Sequence, residues 1–295
     1  AVESVEFLSE GGAGKLYFLP GPTSSDVLRQ YFRLTGFPML PPLFGIGYHQ
    51  CRWSYRDQHD VEEVNRKFNE HHIPVDTIWL DIDHTNDRRY FTWDGKKFPN
   101  SLGMIETLSK SGRRLVTISD PHIKVDGHYR IYQEAHDHHL FVTKSRHSLE
   151  DFHGHCWPGD SSWIDFANPD AREWYSKQFH PGLYSGSSLR VFTWIDMNEP
   201  SVFSGPDLTL PMDAGQFDGK TRFSHRQLHN TYGFYHSAAT FAGHLYRSNN
   251  VQRPFLLTRS FFAGSQRYAA VWTGDNQAKW SHLHGSVAML NMHSF

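Results

Sequence analysis

After Pro42 the sequence repeats an apolar strand-like run, a polar loop and an amphipathic helix-like stretch, which predicts an α/β fold. The architecture that fits is a (β/α)8 TIM barrel, incomplete, with about six strands present. Three observations favour it. Apolar strand runs alternating with helices indicate parallel strands covered on both faces. Chemically capable residues follow the runs, where barrels place their sites: His49 and Arg52, Asp81, Asp120 and His122, Asp196 and Glu199, Arg259, Asp275. Neither GxGxxG nor GxxxxGK[ST] occurs, which counts against a nucleotide-binding doubly wound sheet.

Taken in order, residues 2–7 and 15–19 read as a strand pair joined by the Gly-rich 10–14. A lone hairpin is marginal in water, so it belongs to a sheet whose other strands lie elsewhere. Ser24, Ser25 and Asp26 then cap a helix with Val27, Leu28, Tyr31 and Phe32 on one side. Pro38, Pro41 and Pro42 stiffen the linker that follows. Strands are expected over 44–49, 77–81, 115–119, 191–195, 255–258 and 269–272, and helices over 59–71, 101–111, 169–179, 226–246 and 280–292. The division is therefore 1–36, a sheet remnant and linker helix, and 37–295, a barrel that ends before its last two strands. Alone, such a chain is expected to be poorly soluble and inactive, because an open six-strand barrel exposes sheet edges.

Composition narrows the partners. Lys+Arg 29 against Asp+Glu 31 leaves a formal charge of −2, which argues against nucleic-acid binding driven by bulk charge. Mean hydropathy is −0.57 and no apolar run approaches the roughly 20 residues of a membrane span. Cys51 and Cys156 could form one bridge but no disulfide framework. Aromatics at 15% suit ring-on-sugar stacking, though a large aromatic core explains them more simply. The 21 histidines include His136, His138, His139, His153 and His155, set in loop-like sequence with no second group at ligand spacing; no metal is expected. Ala1 is not followed by a basic or apolar leader pattern.

The densest chemistry lies in Trp-Ile-Asp-Met-Asn-Glu-Pro (194–200). It puts Asp196 at a strand mouth between Trp194 and Met197, with Asn198 able to hydrogen-bond its carboxylate. A carboxylate held ionised there can attack an electrophilic sugar carbon. Trp-Thr-Gly-Asp-Asn (272–276) has the same grammar and offers Asp275. One carboxyl with a lowered and one with a raised pKa is the split a glycosidase uses, but two helix N-caps fit the spacing as well. Arg259 and Arg267 lie between them; Arg259 can bind sugar hydroxyls, hold a carboxylate ionised, or form a rim ion pair. Asp81 and Asp83 point to opposite faces if their strand continues, so only one faces the pocket. His122 reads more readily as a satisfied rim histidine than as a base.

At these motifs the chain resembles the neutral α-glucosidase branch of glycoside hydrolase family 31. The likeness runs through Pro-Pro-Leu-Phe-Gly-Ile-Gly-Tyr-His-Gln (41–50), Ile-Trp-Leu-Asp-Ile-Asp-His (78–84), Asp-Pro-His-Ile-Lys (120–124), Cys-Trp-Pro-Gly (156–159), the Asp196 segment, Phe-Phe-Ala-Gly-Ser-Gln-Arg (261–267) and Val-Trp-Thr-Gly-Asp-Asn (271–276). The resemblance implies a retaining exo-α-glucosidase without a cofactor, acting on terminal α-linked glucose of N-linked glycans or glucans. Asp196 would be the nucleophile and Asp275 the acid/base, roughly 5–5.5 Å apart. Asp81 and Arg259 would hold glucose hydroxyls, and Trp157, Trp194, Met197 and Trp272 would wall the pocket. It also implies that 1–20 ends an N-terminal β-sandwich. An endoplasmic-reticulum lumen location, with the cytoplasm as alternative, and a non-catalytic β subunit follow from the same likeness, with no nucleic acid and no membrane span. The family's later Gly-Ala-Asp segment and pocket histidine find no match before Phe295; an inactive carbohydrate-binding or scaffold fragment is the rival reading.

Overall fold

The computed structural model describes residues 3–8 and 14–293. Its frame is a six-stranded, all-parallel sheet in the order β1 (His49–Arg52), β2 (Thr77–Leu80), β3 (Arg114–Ile118), then β7 (Val191–Ile195), β10 (Leu256–Thr258) and β11 (Ala270–Val271). It is an open half-barrel that follows chain order, so each strand pairs with the next one of the frame. Helices α2 (Gln58–Glu70), α3 (Ser101–Lys110), α5 (Pro169–Lys177) and α7 (Tyr232–Arg247) provide the return crossovers. Asp57, Asn100 and Asn168 cap the first three by accepting backbone N–H bonds.

Period-two alternation sorts the strand residues into two layers. Ile78, Leu80, Leu115 and Val191 pack outward with Val61, Met104, Ile105 and Leu108 of the helices. Trp79, Val116, Phe192 and Phe255 form one layer inside the curve. Here a sequence expectation fails. Residues 44–49 are not a strand: Leu43–Ile46 form a 3-10 turn, and β1 starts only at His49. Pro41-Pro42 fixes the approach, and the Phe44 ring turns inward, 4.6 Å from Phe192 and 5.4 Å from Phe255, as a plug for that layer.

A second set of elements sits beyond the frame's C-terminal ends. It comprises the antiparallel sheet β4 (His122–Lys124), β6 (Gly159–Trp163), β5 (Gly154–Cys156), the helix α4 (Arg130–Asp137) and the hairpin β8 (Gly215–Phe217)–β9 (Arg222–Ser224). This cap shares a core with the loops around Tyr90 and with α5 and α7, including Ile123, Trp163, Phe166, Tyr175 and Tyr232. The helix expected over 226–246 is divided into α6 (His225–Leu228), a 3-10 turn and α7. At the amino-terminal side, described residues 3–8 and 14–20 form no strand, contrary to the expected pair; residues 9–13 of its turn lie outside the described residues. Val5, Phe7, Leu16 and Phe18 are exposed, so no partner sheet covers them here.

The linker helix α1 (Ser24–Thr35) closes its N-terminus with a Thr23–Asp26 capping box, and its C-terminal end is tied to the 3-10 turn Ser265–Arg267 between β10 and β11. Gln266 donates to Thr35 Oγ1 and to the Gly36 carbonyl, each at 2.9 Å, and its own carbonyl accepts from Met39 N. Gly36 makes this turn at φ 99°, ψ 152°, with the Arg267 side chain where a Cβ would stand. Gly36→Ala should lower stability by about 1–3 kcal/mol through backbone strain and that clash. Denaturant titration checks it: an unchanged midpoint would mean the turn relaxes freely.

Candidate active site

The parallel registers align the site. Offsets that pair Ile118 with Trp194 and Thr258 with Ile195, carried past the strand ends, put Asp120 beside Asp196 and Asp196 beside Arg259. The backbone continues that alignment: Ser119 N donates to the Trp194 carbonyl at 2.9 Å, and Arg259 N to the Ile195 carbonyl at 3.2 Å. Two carboxyls and a guanidinium thus stand in one row at the mouth of the half-barrel.

Asp196 follows β7 directly. Its Oδ1 accepts the Met197 N–H at 2.7 Å and lies 3.0 Å from Arg259 Nη1. Met197 sits at φ 56°, which turns the chain sharply so that its own amide meets the preceding carboxylate. Burial pushes the Asp196 carboxyl up, Arg259 and the Met197 amide pull it down, and the charges of Glu199 and Asp275 push it up again; the balance is about 6. Asp275 lies past β11 on an exposed turn, and its charge also bears on Asp81. The two aspartates singled out in the sequence are within electrostatic reach of each other.

Arg259 is divided between two partners. Its Nε and Nη2 form a fork on Glu199, at 2.7 Å and 2.9 Å, while Nη1 serves Asp196. Burial alone would weaken its charge, but the Glu199 and Asp196 carboxylates more than restore it. The fork on Glu199 was not predicted. Its only signal was a carboxylate three residues past Asp196 on the same turn. Asn198 does not serve the Asp196 carboxylate as expected; it donates to Thr258 Oγ1 and accepts from Ser260 N, tying the β7 turn to the end of β10. Arg267 faces away from the carboxylates, over the Tyr268 ring at 4.9 Å and the Phe234 ring at 5.6 Å.

β2 ends at Leu80, and Asp81 caps the short 3-10 turn Ile82–His84 by accepting Ile82 N at 2.6 Å. The strand does not continue, so Asp81 and Asp83 are not on opposite faces of it; Asp83 lines a polar groove of about 540 Å³ with Thr85, Asp87 and Arg88. Trp194 lies between Trp79 and Trp272, its ring 6.0 Å from each. The Met197 Sδ is 3.1 Å from Arg259 Nη2. Trp157 is 45% exposed on the β5–β6 turn of the cap, edge-on to Phe203 at 4.7 Å, with its carbonyl accepting from Arg88. The neighbouring Cys156 is near enough to feel the charges of Asp120, Asp196 and Arg259.

His122 is fully buried rather than at the rim, with Nε2 2.9 Å from the Tyr90 hydroxyl; burial lowers it to about 3. The histidine clusters are spread over ion pairs such as His136–Asp151 at 2.6 Å, and among the described residues no three potential ligands converge on a metal position. Cys51 and Cys156 are both free thiols.

Asp81 gives a pH test. Burial, with the charges of Asp83 and Asp275, raises it to about 6 against an unfolded value of 3.8. Its neutral form is the folded-state preference, so that stability is complete below pH 3.8 and lost as pH rises through 6. Asp81→Asn, which keeps an acceptor for Ile82 N, should equal the parent near pH 4 and exceed it by about 1 kcal/mol at pH 8, the partial exposure of the site limiting the gain. Thermal unfolding across pH decides it; a constant difference at all pH values would refute the assignment.

Residues 38–295 match the model of the glycosyl hydrolases family 31 TIM-barrel domain. The chain is 54% identical over 286 residues to neutral alpha-glucosidase C of Homo sapiens, covering 97% of this chain and 31% of that protein. It is 51% identical to neutral alpha-glucosidase AB of Sus scrofa, with 97% and 30% covered. A crystal structure of ER glucosidase II, a complex of the catalytic subunit and the binding domain of the regulatory subunit, superposes with a TM-score of 0.85 at 45% identity, over 89% of this chain and 28% of that one. The chain spans about a third of the length of the curated relatives it matches.

Proposed function

Because the chain belongs to glycoside hydrolase family 31, we propose that it forms the catalytic half-barrel of a retaining exo-α-glucosidase that removes terminal α-linked glucose from oligosaccharides. One observation carries the reading: Asp196 stands at the mouth of β7, held by the Met197 amide and Arg259, within the field of Asp275. A carboxylate oxygen held by an amide hydrogen bond on one side and an ion pair on the other is aimed rather than merely charged.

In the first step Asp196 attacks the anomeric carbon while Asp275 gives its proton to the glycosidic oxygen; the C1–Oδ bond forms as the C1–O bond breaks. In the second, Asp275 takes a proton from water, the water oxygen bonds to C1, and Asp196 leaves as carboxylate. Two inversions return the α configuration. Arg259 spreads the positive potential that keeps Asp196 ionised near neutral pH, and Asp81 is placed to accept from glucose hydroxyls. Trp194, Trp272 and Met197 offer apolar walls beside the carboxylates, and Trp157 reaches over them from the cap.

The solved heterodimer of its relative carries a regulatory subunit in the endoplasmic reticulum. On that likeness we assign this chain the same compartment, with the cytoplasm as the alternative, and a non-catalytic β subunit as partner; its substrates are N-linked glycans or α-linked glucans. Among the described residues no helix is long and apolar enough to cross a membrane.

In the full-length protein to which this half-barrel belongs, Asp196→Asn should abolish hydrolysis of a nitrophenyl α-glucoside while leaving sugar binding intact. Asp275→Asn should lower kcat/KM on a disaccharide by about 10²–10⁴-fold and on the nitrophenyl substrate much less, because that leaving group needs no proton; kcat falls on both, since Asp275 is also the base of the second step. Kinetics on both substrates, with NMR of the first-formed anomer, check this. Equal losses of kcat/KM on both substrates would remove Asp275 from the acid role, and a β anomer would remove the retaining mechanism.

A further inference from the structure

Asp120 is the third member of the mouth row, and the reaction above gives it no part. It is wholly buried. Its Oδ2 accepts the Tyr90 hydroxyl, and His122 Nε2 stands 3.6 Å from the same oxygen and 2.9 Å from the Tyr90 oxygen. Tyr90 has one proton, and it is spent on Asp120; the His122 contact therefore uses a neutral ring carrying its proton on Nε2. Asp120 Oδ1 and His122 Nδ1 have no hydrogen-bond partner among the described residues.

The charge count at this position is unfavourable to a second anion. The one cation among the described residues whose charge bears on it, Arg259, already serves Glu199 with two of its nitrogens and Asp196 with the third. An ionised Asp120 would be a desolvated carboxylate with one bare oxygen, alongside Asp196 in register. The other groups facing it do not compensate: Asp81 from the end of β2, Tyr90, His122 from β4, Cys156 from β5 and Tyr175 from α5 are neutral or acidic.

Building on the nucleophile assigned to Asp196, we propose that Asp120 is a positioning residue that works as a neutral acid: it keeps its proton on Oδ1 while Asp196 is ionised, and so leaves the whole charge of Arg259 to Asp196 and Glu199. A second negative charge beside Asp196 would raise its proton affinity and silence it near neutral pH. The Tyr90 hydroxyl and the Ser119–Trp194 backbone bond hold the neutral carboxyl in place.

The test reads the proton directly. In the infrared difference spectrum at pH 7 between the protein and Asp120→Asn, a protonated-carboxyl C=O stretch should disappear; loss of carboxylate bands alone overturns the proposal. Tyr90→Phe leaves Asp120 in place and should move the same C=O stretch to higher frequency, which keeps the test open if the Asn variant folds poorly; no movement overturns it. In the pH profile of kcat/KM on a nitrophenyl α-glucoside, Asp120→Asn should lose about tenfold or less while its acid limb stays in position. A downward move of that limb by about one unit would show that Asp120 was charged in the working protein. The kinetics are read in the full-length protein; if neither it nor its Asp120→Asn variant turns over substrate, the glycosidase reading fails while the infrared result still decides the proton.

Discussion

The site depends on one guanidinium placed among several carboxyls. Arg259 closes β10 in register with Asp196, and its planar fork can face Glu199 and Asp196 at once. A lysine could offer a single point charge but not the three directed contacts. Both partners come from the turn after β7, so the Arg259–Glu199 fork also fixes the path of the backbone that aims Asp196. Asn198 strengthens the same junction from behind, bonding to Thr258 and Ser260 on either side of Arg259. Electrostatics and backbone geometry are thus set by the same few atoms.

The outer layer explains the abundance of histidine without a metal. His244 of α7 bonds to Thr193 of β7 at 2.8 Å, and His236 bonds to Tyr175 at 3.0 Å while stacking on Phe166 at 4.4 Å. Each is buried, and burial drives its pKa down, so these rings act as neutral, flat, partly polar packing groups. They satisfy buried hydroxyls, one on β7 and one on α5, that all-apolar partners would leave unpaired. Gly243 complements them: a side chain there would meet Phe179 and the Ser176 carbonyl, so its absence lets α7 lie close on α5.

Much of this was legible in the residues. Apolar runs ending in Asp81, Asp196 and Arg259 marked strand mouths, because strand interiors buried on both faces leave their ends as the places for polar chemistry. The run 44–49 misled because an apolar stretch after two prolines serves equally well to plug a barrel floor. The cap was missed for another reason. Its strands are only three to five residues long, β5 and β6 rich in Gly, Ser, His and Asp, with no alternation to read, and they are held by pairing and by the buried Trp163 rather than by local preference. Glu199 and Asp120 were visible as acids, but their roles come from partners 60 and 30 positions away.

The common register of β3, β7 and β10 has a further implication for how such a chain can change. One residue gained or lost inside β7 would rotate every side chain beyond it to the opposite face, taking Asp196 out of line with both neighbours together. The loops of the cap carry no such phase and can lengthen or shorten while the mouth keeps its alignment. Variation in length should therefore collect in the segments between 138 and 153 and between 203 and 214, and the three strands should tolerate exchange of residues but not of spacing.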